Sequence, residues 1–331
     1  MKILVTGGAG FIGSHLVDLF VANGEDVVIV DNLATGKKEN LNIKNFSENF
    51  CGSKIHEKGF LNVNAKFYKA DICDFEKLKE IFNLEKPRIV IHCAANPMLR
   101  LSIEDPLYDA RVNILGTISV LECCRIFNVR KIIYTSTGGA RVGEPEYLPV
   151  DEKHPLNPCS PYGISKHSAE HYVWMYNQIY GLDYLIFCFG NVYGPRDDAV
   201  TGRLIPVFIE KMLKGESPKI FGDGLQTRDF IYVKDLTEFI VESINKNPEH
   251  KLFHLANGEQ ISVNEIWRLL YDISGFHGDV LHTDAVKGEV RDIVLDIALA
   301  RQELGWEPKT SIKEGLKETW EWFEKLNKKN V

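Results

Sequence analysis

The sequence predicts an α/β protein built on a doubly wound parallel sheet, followed by a second, smaller α/β domain. Three observations support this prediction. Short apolar runs rich in Ile and Val alternate with amphipathic stretches over about the first 190 residues. A glycine-rich turn follows the first apolar run. Beyond about residue 191 the elements become shorter, and Pro and Gly become more frequent. Continuous apolar strands of this kind are typical of sheets covered by helices on both faces.

The elements of the first part are predicted to alternate regularly. Strands are predicted in six apolar runs: KILVTG, DVVIVDN, KFYKADI, RIVIHCAA, KIIYTST and DYLIFCFG. Helices are predicted where apolar residues recur three and four positions apart: SHLVDLFVAN, FEKLKEIF, GTISVLECCRIF and SAEHYVWMYNQIYG. Because βαβ crossovers are almost always right-handed, this order gives a parallel sheet with helices on both sides.

A chain of 331 residues exceeds the usual size of one hydrophobic core, so two domains are expected. The first is predicted over residues 1–190, with a returning segment near 232–256. The second is predicted over 191–231 and 257–331. Residues 37–66 depart from the strand–helix rhythm, are rich in Asn and Lys, and are predicted as a surface insertion between the second and third strands.

Composition and charge limit the classes of function. The net charge of −7 argues against a nucleic-acid-binding surface, which needs clustered Lys and Arg. No apolar run approaches the roughly 20 residues that cross a bilayer, so no membrane partner is expected. The N-terminus lacks a signal-peptide pattern. The seven cysteines form no Cys-x-x-Cys pair and are expected to be reduced, so the expected compartment is the cytoplasm.

The glycine-rich turn predicts a Rossmann-type dinucleotide site. Gly7, Gly10 and Gly13 stand between the first strand and the first helix. Such glycines permit the tight turn, the approach of a pyrophosphate and close helix–strand packing. Asp31 ends the second strand about 20 residues on, where a carboxylate accepts bonds from ribose hydroxyls and repels a 2′-phosphate. We therefore expect NAD rather than NADP. Asp71-Ile72, after the third strand, is predicted to contact the adenine.

Tyr162 and Lys166 form the predicted catalytic pair. They lie four residues apart at the start of a predicted helix, so both side chains share one helix face. A phenol has a pKa of about 10, and a nearby cation stabilises the phenolate. Tyr162 is therefore predicted to act as a base near neutral pH.

Two other features of the sequence each allow two interpretations, one functional and one purely structural. His167 and His171 have a spacing that can bind zinc, but no third ligand is apparent, so no metal is expected. The family resemblance described below implies that Arg228 binds phosphate, and guanidinium geometry, which matches that of phosphate, supports this role. The following residue is Asp229, and a surface salt bridge between the two is the alternative.

Together these motifs resemble the extended short-chain dehydrogenase/reductase family, and within it the UDP-glucose 4-epimerase branch. The resemblance runs essentially end to end. It rests on TGGAGFIGSH from residue 6, DN at 31–32, DI at 71–72, HCAAN at 92–96, YTSTGGA at 134–140, SPYGISK at 160–166, FGNVYGPR at 189–196, RDFIYVKD at 228–235 and LGWEP at 304–308.

The resemblance implies roles for the matching residues. Tyr162 would be the general base and Lys166 its ribose-binding partner. Thr137 would bridge Tyr162 and the sugar 4-hydroxyl, with Ser136 as the alternative hydroxyl. The further implied cofactor contacts are Phe11, Ile12, Asn32, Cys93, Ala94 and Ala95. The implied substrate contacts are Asn191 and Arg228 at the diphosphate, Leu204 and Phe221 at the nucleobase, and Arg291, beside Gly288-Glu289, in a second diphosphate- and ribose-binding patch.

The residues after Thr137 separate the reactions of this family. A 4,6-dehydratase of the family carries an Asp-Glu pair there, whereas this sequence has Gly138-Gly139-Ala140, so dehydration is disfavoured. Arg141 and Glu144 keep a decarboxylase as an alternative, although Arg141-Val142 stands where the family usually has a tyrosine before a glycine. Ile293 is the implied neighbour of the sugar 2-substituent and would suit an N-acetyl group.

We therefore expect an isomerase, a UDP-glucose/UDP-galactose 4-epimerase that uses NAD and a transient 4-keto sugar. The alternatives are a UDP-N-acetylglucosamine or UDP-glucuronate 4-epimerase, then a nucleotide-sugar dehydratase or decarboxylase, and last a non-catalytic NAD-binding protein. The resemblance also implies a homodimer, formed by the helix near 114–127 and the helix that carries Tyr162.

Overall fold

The computed structural model describes residues 1–41, 45–47, 58–62, 64–285 and 290–329. Much of the predicted 37–66 insertion lies outside the described residues, as do Gly288 and Glu289. The described part of the insertion contributes two short strands, which the sequence did not predict because it shows little apolar periodicity there.

Fifteen strands are formed by the described residues: β1 (Lys2–Thr6), β2 (Asp26–Asp31), β3 (Asn45–Ser47), β4 (Lys58–Asn62), β5 (Ala65–Lys69), β6 (Ile89–His92), β7 (Lys131–Thr137), β8 (Asp183–Phe189), β9 (Asn191–Tyr193), β10 (Lys219–Phe221), β11 (Thr227–Arg228), β12 (Phe230–Tyr232), β13 (Leu252–Leu255), β14 (Ile261–Ser262) and β15 (Leu281–Thr283).

The α-helices of the same part of the chain are α1 (Phe11–Ala22), α2 (Phe75–Glu85), α3 (Leu99–Glu104), α4 (Pro106–Ala110), α5 (Thr117–Ile126), α6 (Gly139–Val142), α7 (Pro161–Tyr180), α8 (Leu204–Leu213), α9 (Val233–Ser243), α10 (Val263–Ser274), α11 (Ala298–Leu304) and α12 (Ile312–Lys329). A π-helical segment, Arg111–Gly116, joins α4 to α5. Short 3₁₀ segments cover Lys38–Asn40 and Ala199–Thr201.

The main sheet has the strand order β13-β8-β7-β6-β1-β2-β5-β4-β3. The seven strands from β13 to β5 form a Rossmann-type parallel sheet flanked by helices, which confirms the predicted fold class. Strands β4 and β3 extend its edge in antiparallel pairing. In the register, Val5 of β1 lies opposite both Ile29 of β2 and Ile91 of β6. The strand order therefore reverses around β1, and doubly wound sheets bind ligands at the carboxyl ends of the strands beside such a point.

The chain divides into two compact units. The first unit comprises Met1–Thr137, Ser160–Cys188 and Thr237–Phe253, and the second comprises Gly138–Cys159, Phe189–Leu236 and the described chain from His254 onward. These bounds differ from the predicted domain limits at residues 138–159, which lie in the second unit. There the Gly138 amide donates to the Phe189 carbonyl at 2.8 Å, and the Val150 amide donates to the Val294 carbonyl at 2.8 Å. Such long-range backbone bonds leave no periodic signal in the sequence.

Each unit has its own hydrophobic core. In the first, Ile3, Leu4 and Val5 are consecutive and fully buried, so both faces of the sheet are covered. One of these faces packs against α2, α5 and α7. The core of the second unit includes apolar residues of α8, α10 and α12. Among the described residues, no helix is long and apolar enough to span a membrane.

Candidate cofactor and catalytic site

The glycine-rich turn connects β1 to the N-terminus of α1. Gly7 adopts φ 67°, a conformation that glycine holds without strain. Its amide donates to the Val30 carbonyl at 2.8 Å, and its carbonyl accepts from the Gly10 amide at 3.0 Å. A Cβ on Gly7 would lie 2.7 Å from the Ala94 amide nitrogen, and a Cβ on Gly13 would overlap the Gly7 carbonyl oxygen. The backbone at this turn is therefore packed too closely for any side chain at positions 7 and 13.

Asp31 lies at the end of β2 and holds the turn in place. Its Oδ2 accepts from the Ala9 amide at 2.9 Å, and its Oδ1 accepts from the Leu33 amide at 2.8 Å. Burial raises the pKa of this carboxyl above its usual value, and the backbone bonds oppose that shift only in part. Because two carboxylate oxygens together accept about four bonds, Asp31 retains acceptor capacity for ligand hydroxyls.

Asn32 and Asp71 meet at the ends of β2 and β5. Asn32 Nδ2 donates to Asp71 Oδ2 at 3.0 Å, and the Cys73 amide donates to Asp71 Oδ1 at 2.8 Å. Burial acts to raise the pKa of Asp71, but the bonds from Cys73 and Asn32 outweigh it and hold that pKa below its usual value. Ile72 packs against Gly116, where a Cβ would lie 2.6 Å from the Ile72 Cδ1 atom. The structure thus brings these predicted adenosine contacts to one edge of the sheet.

The remaining predicted cofactor contacts belong to the same unit and are all half-buried. They are Phe11, Ile12, Cys93, Ala94 and Ala95.

Lys166 reaches from α7 to the end of β7. Its Nζ donates to the Thr135 carbonyl oxygen at 2.7 Å and lies 4.2 Å from the centre of the Tyr134 ring. Burial lowers the pKa of Lys166 to about 8, while the carboxylate of Glu170 acts in the opposite direction. The lysine is therefore held in a fixed position, with a pKa close to neutral.

Tyr162 is placed by the start of α7. The Ser160 hydroxyl caps the helix by accepting from the Gly163 amide, and Pro161 occupies the first turn. Amide hydrogens in the first turn of a helix have no acceptor inside the helix, so proline, which lacks this hydrogen, loses no hydrogen bond there. The Tyr162 amide donates to Ser102 Oγ at 3.2 Å. Tyr162 and Lys166 therefore share one helix, one turn apart, as the sequence predicted.

The two candidate hydroxyls at the end of β7 have different surroundings. Ser136 is buried, and its Oγ donates to Glu170 Oε1 at 2.5 Å. Thr137, the next residue, is half-buried. The Ser136 hydroxyl is therefore bound to a carboxylate of α7, whereas Thr137 is the last residue of β7.

His167 and His171 lie beside this cluster. His167 Nδ1 lies 2.9 Å from Glu170 Oε2, and the Nε2 atoms of the two histidines are 3.3 Å apart. Within the described parts of the chain, no group of three or more His, Cys, Asp or Glu side chains is arranged to hold a metal ion. His167 thus contacts Glu170, and the two histidine rings contact each other.

Arg228 and Arg291 come together in the second unit. Arg228 Nη1 donates to the Arg291 carbonyl oxygen at 3.0 Å. Arg291 Nη2 lies 3.0 Å from Asp223 Oδ2 in an exposed ion pair. Asp229 is buried, and its carboxylate accepts from three backbone amides, of which that of Leu295 lies at 3.1 Å. Because Asp229 is buried and bound to these backbone amides, it does not form the surface salt bridge with Arg228 that was the alternative.

The other predicted substrate residues also belong to the second unit. The Asn191 amide donates to the Asp229 carbonyl at 2.6 Å, which places the start of β9 beside Arg228. Leu204 begins α8 and packs on the core of this unit. Phe221 ends β10 with its ring exposed.

A buried polar network that contacts α7 was not predicted from the sequence. Asn113 donates to Asp109 Oδ1 at 3.0 Å and to Ser165 Oγ at 3.1 Å, and Asn96 Nδ2 donates to Asp109 Oδ1 at 2.9 Å. His92, the first residue of the HCAAN motif, is fully buried at the end of β6. The signal available in the sequence was a polar residue inside an apolar run, such as the histidine of RIVIHCAA.

The first unit fits a dinucleotide. A pyrophosphate binds backbone amides, and the first turn of α1 supplies amides without helical partners. The close-packed glycine turn gives a ligand access to the backbone, and Asp31 supplies the acceptor that ribose hydroxyls need. The same carboxylate repels a 2′-phosphate. The backbone donors at α1 and the carboxylate acceptor of Asp31 therefore suit NAD.

Known proteins resemble this chain over nearly its whole length. Residues 4–319 match the family model described as GDP-mannose 4,6 dehydratase. The UDP-glucose 4-epimerase of Mycolicibacterium smegmatis is 36% identical, with 98% of each chain covered. The Thermotoga maritima UDP-glucose 4-epimerase, solved with UDP-glucose, is 40% identical with a TM-score of 0.89, covering 99% of this chain and 100% of that one.

The UDP-glucose 4-epimerase of Thermus thermophilus, solved in complex with NAD, is 34% identical with a TM-score of 0.86, covering 98% of this chain and 99% of that one. The family is NAD-dependent. The chain therefore belongs to the NAD-dependent epimerase/dehydratase family of extended short-chain dehydrogenases/reductases.

Proposed function

We propose that this protein is an isomerase that interconverts UDP-glucose and UDP-galactose at C4 of the sugar. The observation that carries the proposal is the placement of Tyr162 one helical turn before Lys166, whose ammonium is bound at the end of the strand that carries Thr137. The relatives named above, which cover nearly the whole chain, support UDP-glucose as the substrate.

The residues of the site supply proton transfer and orientation. NAD, held by the glycine turn and Asp31, would supply a hydride acceptor for C4 and a donor for return of the hydride to the opposite face of the sugar. Tyr162 accepts the proton of the 4-hydroxyl and later gives it back. The Lys166 ammonium stabilises the tyrosinate by its charge. Thr137 orients the 4-hydroxyl toward Tyr162. Because both the proton and the hydride return, the net reaction is an isomerisation through a 4-keto sugar.

The segment after Thr137 disfavours the other reactions of the family. Gly138, Gly139 and Ala140 carry no acid or base, so water elimination from the keto sugar has no proton carrier there. In the second unit Arg141 is buried and Glu144 is exposed, which does not favour joint recognition of a sugar carboxylate. A Cβ on Gly139 would lie 3.4 Å from Ile293 Cγ1, so an aliphatic side chain packs over this segment.

We assign NAD to the first unit and the nucleotide sugar to residues of the second. Asn191, Arg228 and Arg291 are proposed to bind the diphosphate and the ribose, and Leu204 and Phe221 to contact the uracil. The contact between Arg228 and the Arg291 carbonyl supports a shared role for the two arginines. The two domains are proposed with the predicted limits, except that residues 138–159 are grouped with the second unit.

The protein is further proposed to be a cytoplasmic homodimer. Several large apolar side chains are exposed on α5, α7 and the preceding π-helical segment of the first unit, including Leu115, Trp174 and Ile179. Apolar exposure of this kind is typical of a subunit interface. No disulfide joins the cysteines in the described part of the chain, in keeping with a reducing compartment. Light scattering of the purified protein measures the oligomeric state directly.

The experiment that tests the activity incubates pure protein, without added NAD, with UDP-galactose, UDP-N-acetylgalactosamine or UDP-galacturonate. Conversion of UDP-galactose to its 4-epimer supports the proposal. If one of the other two UDP-sugars were preferred, the proposed substrate would be wrong but the proposed 4-epimerase reaction would stand. Release of carbon dioxide, or formation of only a 4-keto-6-deoxy product, would overturn it.

A further inference from the structure

His92 joins two elements of the first unit through its ring nitrogens. Nδ1 lies 2.6 Å from the Oγ1 of Thr6, the last residue of β1 before the glycine turn. Nε2 lies 2.9 Å from the Oγ1 of Thr117, the first residue of α5. The ring is fully buried, so these two contacts replace the bonds to water that an exposed imidazole makes.

The neighbouring bonds determine the direction of this hydrogen-bond chain. The Thr117 hydroxyl donates to the Asn113 carbonyl at 2.7 Å, so its oxygen is the acceptor facing His92. Nε2 must therefore carry the hydrogen. The Thr6 oxygen accepts from the Ala94 amide at 3.3 Å and uses its own hydrogen toward Nδ1. Each hydroxyl has one hydrogen, so the neutral Nε2–H tautomer of His92 is the form that satisfies every group.

The chain ends at the catalytic helix. The Asn113 side chain donates to Ser165 Oγ at 3.1 Å. Ser165 precedes Lys166, and its hydroxyl lies 2.6 Å from Asp109 Oδ2 and 3.1 Å from the Tyr162 carbonyl oxygen. A continuous set of buried hydrogen bonds thus runs from the dinucleotide turn to the first turn of α7.

We propose that His92 is a positioning residue, which as the neutral Nε2–H tautomer couples the dinucleotide turn to the helix of Tyr162 and Lys166. The proposal deepens the proposed function, because it concerns the same site. A charged ring would have no acceptor at Thr6, whose hydroxyl would have to turn away. Burial, followed by the nearby Lys166 cation, lowers the pKa of His92 to about 3, so the ring stays neutral at physiological pH.

The tautomer is tested by ¹⁵N NMR of the holoprotein labelled at histidine. We expect a protonated Nε2 and an unprotonated Nδ1 for His92 between pH 6 and pH 9, with His92→Gln used to assign the signals. A protonated Nδ1, or a charged ring in this range, would overturn the proposal.

The coupling is tested by the rate at which bound NAD exchanges with labelled NAD in the holoprotein. Thr117→Val, distant from the turn in sequence, should speed exchange about fivefold, as the loss of one hydrogen bond predicts. Thr6→Val should have at least the same effect. Because both changes interrupt one chain, the double variant should exchange little faster than the faster single variant.

The matched control is Ser243→Ala. Ser243 is buried in the same unit and donates to the carbonyl four residues earlier, as Thr117 does, but lies outside the network. Its exchange rate should equal that of the wild type. Multiplicative effects of the two threonine changes, or no effect of Thr117→Val, would overturn the coupling. Neither readout uses a sugar, so failure here is distinguishable from failure of the proposed epimerase activity.

Discussion

Lys166 Nζ donates a 2.7 Å hydrogen bond to the backbone carbonyl oxygen of Thr135. The bond fixes the ammonium near the carboxyl end of β7, two residues before Thr137. The same lysine lies one helical turn after Tyr162, so a helix and a strand jointly position the cation. The backbone carbonyl does not titrate, so this hydrogen bond persists at any pH at which Lys166 is an ammonium.

Replacing Tyr162 with Phe should lower kcat by about 10²–10⁴-fold, the usual contribution of a positioned general base. Only the hydroxyl is removed, so the ring should still pack and bound NAD should be retained. Turnover is measured with UDP-galactose, and the NAD content is measured by absorbance after denaturation. Unchanged turnover would remove Tyr162 from its role as the base.

The activity should fall as the pH rises through about 8. Burial lowers the pKa of Lys166 to about 8, so the cation is present below that pH and is lost above it. Glu170→Gln removes the carboxylate that most opposes this shift, so in that variant the fall should begin at lower pH. The measurement is kcat against pH for both proteins, with the exposed Glu76→Gln as the control. If the activity of Glu170→Gln fell over the same pH range as that of the wild type, the fall could not be assigned to deprotonation of Lys166.

Gly7→Ala should abolish the retention of NAD. The new Cβ would lie 2.7 Å from the Ala94 amide nitrogen, at a φ of 67°. Gly24→Ala is the matched control, because Gly24 has a φ of 75° but a Cβ there meets nothing within 4 Å. Both changes carry the backbone cost of alanine at positive φ, so only the clash differs. Equal NAD content in the two variants would show that the close approach at Gly7 does not matter.

Arg228→Gln should raise KM for the UDP-sugar at least tenfold while leaving the NAD content unchanged. A charge-assisted bond to phosphate is stronger than a neutral one, and glutamine supplies only the neutral donor. Arg301→Gln, on the exposed side of α11, is the control and should change neither quantity. An unchanged KM together with an unchanged kcat would place Arg228 outside the substrate site.

The sheet and the cofactor turn could be predicted from sequence because their signals are local. The apolar runs of β1 and β2, the glycines between residues 7 and 13, and Asp31 each follow from neighbours in the chain. The four-residue spacing of Tyr162 and Lys166 is likewise local, because a helix places such residues on one face.

The parts that were missed depend on contacts between distant residues. Residues 138–159 belong to the second unit through backbone bonds to 189 and 294, which no local pattern reveals. The bond between Ser136 and Glu170 joins residues 34 positions apart. The network of His92, Thr117 and Asn113 depends on hydroxyl hydrogens whose direction follows only from the folded arrangement.

The most direct test of the account uses UDP-galactose with deuterium at C4 and purified protein without added NAD. Hydride removal and return by the bound cofactor should give UDP-glucose that retains deuterium at C4, with no dependence on NAD in the solution. Loss of deuterium to solvent during epimerisation would contradict the account, because it would mean that C4 inverts without transfer of its hydrogen to the cofactor and back.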